Sequence, residues 1–166
     1  AEVPTRDRDV AGDSRWVIDH VAELFAQGLP WRPGAADALD MLLDVGVPSV
    51  LVTNTIRELT DVALDTLGRH RFAATICADE VVAGKPQPYV YLRAAELAGR
   101  RPGECLAVED SPTGTIAATS AGCPTLVVPS AVPVPKGSLR SFRATLAGLT
   151  FGDLVGAWTG EHQHIH

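Results

Sequence analysis

Residues 104–122, ECLAVEDSPTGTIAATSAG, place an apolar run, a pair of adjacent carboxylates and a segment of small residues one after another. The apolar run, residues 104–108, is too short for a helix and is typical of a buried strand. Glu109 and Asp110 follow it directly, and residues 115–121 are predicted to form a helix that ends at a glycine. The stretch therefore predicts a strand, a polar turn and a helix, which together form the repeating unit of an α/β sheet.

The same alternation of short apolar runs and helical segments extends along most of the chain. Residues 48–53, PSVLVT, are rich in β-branched and apolar side chains, as expected of a strand buried on both faces. Further strands are predicted at residues 74–77 and 125–128, and helices at residues 16–27, 35–45, 56–67 and 88–98. Repeated units of this length predict an α/β fold with a doubly wound parallel sheet.

The N-terminal part of the chain differs from this pattern. The first 15 residues are polar and have neither helical nor strand periodicity, which predicts a loop or a disordered segment, and Ser14 is positioned to cap the helix that follows. Residues 29–34, LPWRPG, form a proline-bracketed turn of the kind that joins two lobes. The predicted organisation is an N-terminal loop and helix, an α/β core and a frayed tail, at residues 1–30, 31–158 and 159–166.

The composition fits one globular domain and argues against several classes of partner. The 166 residues are 46% hydrophobic and carry a formal net charge of −6, with no basic run. Nucleic acid and membrane lipid are therefore not expected as partners. Because no apolar run approaches the roughly 20 residues of a spanning helix, we expect a cytoplasmic protein. Cys77, Cys105 and Cys123 fall in or beside apolar segments, which predicts reduced core thiols.

Polar side chains follow two of the predicted strands, at the edge of the sheet where ligands bind. Thr53 and Asn54 come at the end of one strand, and the threonine hydroxyl can donate to a phosphoryl oxygen. Lys85 lies in the turn AGKPQP, which can hold a cation near a phosphate. Glu109 and Asp110 would repel each other without a cation beside them, and Mg²⁺ prefers such oxygen ligands. Taken singly, the threonine and the carboxylates are also compatible with helix caps, and the lysine with a solvated loop.

Three segments that carry these side chains resemble the second, third and fourth motifs of the haloacid dehalogenase-like hydrolases. They are LVTNT at residues 51–55, GKPQPYVYLRAAELAG at residues 84–99 and LAVEDSPTGTIAATSAG at residues 106–122. In appearance the sequence is most similar to the subgroup of phosphoglycolate phosphatases and β-phosphoglucomutases. The resemblance implies a Rossmann-like core, and it makes the helix predicted at residues 16–27 similar to the end of the family's helical cap.

This resemblance implies a Mg²⁺-dependent phosphomonoester hydrolase that acts on a small phosphorylated metabolite through an aspartyl-phosphate. Thr53 and Lys85 would be the catalytic residues, and Thr53, Asn54 and Lys85 would bind the phosphate. Asp110 would bind Mg²⁺, with Glu109 as a direct or indirect partner. Stabilisation of charge by the lysine and the metal is what such a site supplies.

The first motif of the family has no counterpart in the sequence. In the family it is an apolar strand that ends in Asp-x-Asp-Gly-Thr and supplies the nucleophile; the nearest string here, Asp7-Arg8-Asp9, follows no apolar strand and is interpreted as a polar loop. In the family this central strand lies between those of the second and fourth motifs, so two unpaired strand edges are expected. We therefore expect that an N-terminal stretch of the parent protein, with the nucleophile and most of the cap, is absent from this chain.

Other functions stay open at this point. A phosphomutase of the same architecture is not separated from a hydrolase, since the deciding contacts belong to the cap. A truncated, catalytically inactive binding module is also compatible with the missing motif. A dehalogenase leaves the two carboxylates without a purpose, and the lack of a G-x-G-x-x-G sequence argues against a dinucleotide-binding domain. We expect a monomer or a weak homo-oligomer.

Overall fold

The computed structural model describes residues 10–160, in which helices and short strands alternate. In chain order the elements are α1 (Val10–Ala26), α2 (Ala35–Asp44), β1 (Val50–Val52), α3 (Arg57–Leu67), β2 (Ala74–Ile76), α4 (Tyr89–Leu97), β3 (Ala107–Glu109), α5 (Pro112–Ala121), β4 (Thr125–Val127), β5 (Arg140–Phe142) and α6 (Phe151–Thr159). Among these described helices, none is long and apolar enough to cross a membrane.

The strand pairs of the described region are all parallel. β1 pairs with β2, so that Leu51 lies opposite Thr75. β4 lies between β3 and β5, with Leu126 opposite Val108 on one side and opposite Ser141 on the other. From β1 to β4, each strand is connected to the next by a helix, namely α3, α4 and α5. The predicted α/β fold with parallel strands is confirmed.

Two apolar clusters cover opposite faces of the strands β3 and β4. Successive side chains of a strand point to opposite faces, and Ala107 and Leu126 fall in different clusters. On the Ala107 side, the fully buried Ala117 and Ala118 let α5 pack closely against the sheet beside α4. On the Leu126 side, Leu154 brings α6 against β4. Helices thus cover both faces, as the doubly wound prediction requires.

The two sheets leave a gap between β1 and β3. In the described part of the chain these strands do not pair with each other, and each has a partner on one side alone. Val52 of β1 and Val108 of β3 line the same cleft. Val108 is 46% exposed although it is the middle residue of its strand. Within residues 10–160, β1 and β3 thus each have one open edge that faces this cleft.

The predicted loop in the first 15 residues is wrong from Val10 onward, because α1 begins there. Ser14 consequently lies inside the helix and does not cap it. The helix packs along α3, and Arg15 donates to Glu58 of α3 at 2.7 Å. An ion pair between residues so far apart in the chain produces no periodic pattern of apolar residues, so this part of the helix was not recognised in the sequence. Residues 1–9, with the string Asp7-Arg8-Asp9, lie outside the described residues.

The strand of the fourth motif begins and ends later than predicted. β3 covers Ala107–Glu109 instead of residues 104–108, so Glu109 is its last residue. The helix that follows begins at Pro112 rather than at residue 115. Its start is fixed by the Ser111 hydroxyl, which accepts a hydrogen bond from a backbone N of the first turn at 3.1 Å.

The C-terminal strand and helix are not predicted from the sequence. β5 is the three-residue segment Arg140–Phe142, which is too short and too polar to show strand alternation. α6 begins with a capping box in which Thr150 and Asp153 bind each other's backbone N–H groups. The helix continues to Thr159, one residue into the segment predicted to be a frayed tail, and residues 161–166 of that segment lie outside the described residues.

The three cysteines are free thiols. Cys77 and Cys123 are buried in the core, and burial raises the pKa of the Cys123 thiol to about 11. A thiol with so high a pKa is a poor nucleophile near neutral pH. These surroundings are those of core residues, in line with the prediction of reduced core thiols.

Candidate active site

Glu109 ends β3 with a buried carboxylate that several donors hold in place. Its side chain is 5% exposed. The oxygen Oε1 accepts hydrogen bonds from Lys85 Nζ and from the Tyr91 hydroxyl. The oxygen Oε2 lies 3.3 Å from the backbone N of Asp110 and 3.4 Å from the Ser111 hydroxyl. Because a buried carboxylate is stable only with such partners, Glu109 is a fixed part of the site.

Lys85 reaches from its loop to the end of β1. Its Nζ donates to the Val52 carbonyl at 3.1 Å and to Glu109, and its side chain is 12% exposed. These two acceptors use two of the three donor hydrogens of an ammonium, so the third is available to an anion. The site therefore presents a largely buried cation beside the gap between the sheets.

Thr53 and Asn54 follow β1 and use their side chains differently. The Thr53 hydroxyl accepts a hydrogen bond from the backbone N of Thr55 at 3.0 Å, so its own hydrogen remains a donor. The Asn54 amide binds the backbone of Lys85. The structure thus joins the Asn54 amide to the Lys85 backbone at the carboxyl end of β1, and Thr53 is the residue before Asn54. Among the described residues, Lys85 lines the cleft below, whereas Thr53 and Asn54 do not.

Asp110 carries the exposed carboxylate of the site, in the turn between β3 and α5. Its side chain is 49% exposed. The nearest cation is Arg32, whose Nη1 is 3.5 Å from Asp110 Oδ2. The same guanidinium donates to the carbonyls of Val128 and Pro129 at 3.0 and 3.1 Å. The proline-bracketed turn after α1 is therefore attached to the ends of β3 and β4, directly at the site.

A cleft of ≈ 380 Å³ opens at the carboxyl ends of β1 and β3. Its walls include Trp31, Arg32, Val52, Lys85, Val108 and Asp110. The cleft combines two cationic side chains, a half-exposed carboxylate and the apolar edges of two strands. A volume of this size with a few convergent polar groups suits a small polar ligand.

Residues 3–122 match the sequence profile of the haloacid dehalogenase-like hydrolases. The chain belongs to this family. It is 42% identical over 116 residues to the plasmid-borne protein CbbY of Cupriavidus necator, an alignment that covers 67% of this chain and 46% of that protein. It is 30% identical over 119 residues to hexitol phosphatase A of Escherichia coli, covering 72% of this chain and 55% of that protein.

Solved structures show the same fold. CbbY from Rhodobacter sphaeroides, crystallised in complex with phosphate, matches this haloacid dehalogenase-like chain with a TM-score of 0.81 at 24% identity. The match covers 93% of this chain and 72% of that chain. Measured against the curated relatives above, the chain spans about half of their length.

The resemblance implies Mg²⁺, and the donors of this haloacid dehalogenase-like site fit that ion in part. Asp110 offers a half-exposed carboxylate, whereas both oxygens of Glu109 already have donors, which favours an indirect role for Glu109. Within residues 10–160, no group of three or more His, Cys, Asp or Glu side chains is arranged to hold a metal ion. Mg²⁺ commonly keeps several waters and binds one or two carboxylates and a substrate phosphate, so Asp110 fits as one ligand of such a set.

Three residues of the haloacid dehalogenase-like site were not predicted individually from the sequence: Arg32, Tyr91 and Gly114. In the sequence, Tyr91 could have been noticed because it places a polar hydroxyl on the apolar face of a helix. The signal for Gly114 is a glycine in the first turn of a helix, and a Cβ there would overlap the Glu109 carboxylate. Arg32 carries no comparable signal, since an arginine between two prolines is typical of a solvated turn.

Proposed function

We propose that the protein to which this chain belongs is a Mg²⁺-dependent phosphomonoester hydrolase that acts on a small phosphorylated metabolite. The observation that carries the proposal is the Lys85 ammonium, which is 12% exposed and lies between the Val52 carbonyl and Glu109 at the cleft. A buried cation with one donor left over is suited to a phosphoryl group. The likeness to hexitol phosphatase A and to a phosphate-bound CbbY supports the same class of substrate.

In this proposal the described residues bind and orient the phosphate. Lys85 neutralises its charge, the Thr53 hydroxyl donates to a phosphoryl oxygen, and Asn54 contributes by fixing the Lys85 backbone. Asp110 holds Mg²⁺, with Glu109 behind it as the acceptor that keeps Lys85 in place. When bound, the ion supplies charge stabilisation at the transferring phosphoryl group.

The proposed reaction goes through an aspartyl-phosphate. A carboxylate oxygen attacks phosphorus, the P–O bond to the leaving alcohol breaks, and the alcohol takes a proton; water then hydrolyses the acyl phosphate to restore the carboxylate. We expect the attacking aspartate on a strand that pairs with both β1 and β3. The support for this position is the pair of open strand edges, with Val52 and Val108 lining one cleft between them. The place of action is expected to be the cytoplasm.

The test uses the full-length protein and para-nitrophenyl phosphate, with and without Mg²⁺. We expect turnover that depends on Mg²⁺ and that falls at least about 100-fold in Asp110→Asn and in Lys85→Met, the range seen for the loss of one charge-stabilising group. Asp44→Asn and Lys136→Met are matched controls, since both side chains are exposed and neither residue lines the cleft.

The products of the reaction distinguish a hydrolase from a mutase, and the absence of any product would favour a binding module. Release of inorganic phosphate supports the hydrolase, whereas transfer of the phosphoryl group to another hydroxyl of a sugar phosphate would identify a mutase. A full-length protein with no turnover in Mg²⁺, Mn²⁺ or Co²⁺ would contradict the enzyme and support a binding module.

A further inference from the structure

Tyr91 lies beside the Lys85–Glu109 ion pair, and the function proposed above gives it no role. It is 7% exposed. Its hydroxyl donates to Glu109 Oε1, the same oxygen that accepts from Lys85 Nζ. The Lys85 ammonium also lies over the Tyr91 ring, 5.3 Å from its centroid. Tyr91 therefore contacts both members of the pair.

The Tyr91 hydroxyl is the donor in its hydrogen bond to Glu109. Burial and the neighbouring Glu109 carboxylate both raise the pKa of the phenol well above its usual range. Because Glu109 is an acceptor and the phenol is a permanent donor, the direction of this hydrogen bond is fixed.

The hydroxyl comes from a rigid element rather than from the loop that carries Lys85. Tyr91 is in the first turn of α4, which packs against β1, β2 and α5. The preceding residue, Val90, is fully buried, and so nearly is Ala95 one turn further on. The position of the donor is thus set by the core, independently of the conformation of the loop.

We propose that Tyr91 is a positioning residue that holds Glu109 and Lys85 in the arrangement in which Lys85 binds a phosphate. This inference rests on the proposed function. Glu109 Oε1 accepts hydrogen bonds from two donors, which share its negative charge. The Lys85 ammonium is therefore held in place but is attracted less strongly to the carboxylate than if it were the sole donor. Without the hydroxyl, Lys85 is the sole side-chain donor to that oxygen, so its ammonium binds Glu109 more strongly and is less available to a phosphate.

The test compares Tyr91→Phe with Tyr89→Phe in the full-length protein. Both changes remove one hydroxyl from α4, but Tyr89 is 42% exposed and lies outside the ion pair. We expect Tyr91→Phe to raise the inhibition constant of inorganic phosphate about fivefold or more, and to raise KM more than it lowers kcat. Tyr89→Phe should leave both quantities unchanged.

A double-mutant cycle with Glu109→Gln separates positioning from a purely structural role. If Tyr91 acts through Glu109, Tyr91→Phe should change the phosphate inhibition constant less than about twofold in the Glu109→Gln background. Equal effects of Tyr91→Phe in the two backgrounds would overturn the proposal, as would an unchanged inhibition constant in the single variant.

One readout does not require catalysis. The ¹³Cε resonance of Lys85 in the full-length protein should move in Tyr91→Phe and stay in place in Tyr89→Phe. If the wild-type protein neither turns over nor binds phosphate, the proposed function fails, yet this resonance still decides the role of Tyr91. A Lys85 signal that is the same in both variants would refute it.

Discussion

The side-chain amide of Asn54 binds the backbone of Lys85 in both directions. Asn54 Oδ1 accepts from the Lys85 backbone N at 2.8 Å, and Asn54 Nδ2 donates to the Lys85 carbonyl at 3.1 Å. A Cβ on the neighbouring Gly84 would lie 2.6 Å from Asn54 Oδ1, so a side chain there would displace the amide. The backbone of Lys85 is thus fixed to the end of β1, independently of the contacts that its ammonium makes with Val52 and Glu109.

Replacing Asn54 should loosen the Lys85 loop. Asn54→Ala removes both hydrogen bonds, so the ammonium is no longer held at a defined distance from the cleft. We expect kcat/KM of the full-length protein to fall about tenfold, equivalent to about 1.4 kcal/mol of transition-state stabilisation, with a higher KM for the phosphoester. Steady-state kinetics with and without Mg²⁺ measure both effects.

Two variants control this experiment. Asn54→Asp keeps an acceptor for the Lys85 N–H but loses the donor, and an intermediate loss is expected. Gln87→Ala removes an exposed amide from the same loop and should have little effect. An equal loss of activity in Asn54→Ala and Gln87→Ala would show that the loop responds to any truncation, and the assigned role of Asn54 would be wrong.

Gly114 is required by the position of the Glu109 carboxylate. A methyl group at residue 114 would overlap that carboxylate, which already has four donors around it. We expect Gly114→Ala to lower the free energy of unfolding by about 1–3 kcal/mol, the usual effect of overpacking. Gly152→Ala is the matched control, because its nearest atom is 3.7 Å away. The control should stabilise α6 by about 0.4–1 kcal/mol, and urea unfolding compares the two; equal changes would contradict the steric argument.

The sheet and the strand-end residues could be predicted because they depend on local patterns. Buried parallel strands require apolar runs such as PSVLVT, and ligands at the carboxyl ends of strands require polar residues at fixed places in the chain. Thr53 and Glu109 were selected in this way, whereas Lys85 was selected from its turn and from the resemblance. The structure places Lys85 Nζ against Glu109 and the Val52 carbonyl, because the carboxyl ends of β1 and β3 lie at the same edge.

The features that the sequence did not predict depend on contacts between distant residues. Arg32 binds carbonyls 96 and 97 residues away along the chain, and Arg15 binds Glu58 across two helices. β5 is too short to show a period of two, and it exists because β4 offers a free edge beside it. Tyr91 is hidden for another reason: its ring fits the apolar face of α4, and its hydroxyl gains a partner when β3 lies beside that face.

In the proposed function, Arg32 would compete with Mg²⁺ for the Asp110 carboxylate. Its Nη1 is 3.5 Å from Asp110 Oδ2, so Mg²⁺ bound by Asp110 would lie near a positive charge. We expect Arg32→Gln to lower the Mg²⁺ concentration for half-maximal activity about two- to threefold, since the repulsion is partly screened by solvent. The same change should lower the free energy of unfolding by about 1 kcal/mol, because the carbonyls of Val128 and Pro129 lose a charged hydrogen-bond donor. Arg32→Lys keeps the charge, so an equal shift in the Mg²⁺ requirement of both variants would contradict the electrostatic explanation.

Glu80 should make the stability of the fold depend on pH below about 4.5, the ordinary pKa of a glutamate. Its carboxylate accepts from Arg57 Nε and Nη2, both at 2.8 Å, and from the backbone N of Cys77. The Arg57 guanidinium, and then the Cys77 N–H, hold the pKa of Glu80 below that value. A carboxylate whose pKa is lower in the folded state stabilises the fold above its unfolded pKa, and this contribution is lost as the pH falls from 4.5 through the folded pKa.

We expect Glu80→Gln to lower the free energy of unfolding by about 1 kcal/mol at pH 7, a modest value because the pair is about one-third exposed. Urea unfolding from pH 7 to pH 3 should show this difference shrink below pH 4.5. In an Arg57→Met background the difference should be small and nearly independent of pH; a pH-dependent difference that persists there would mean that another cation is responsible.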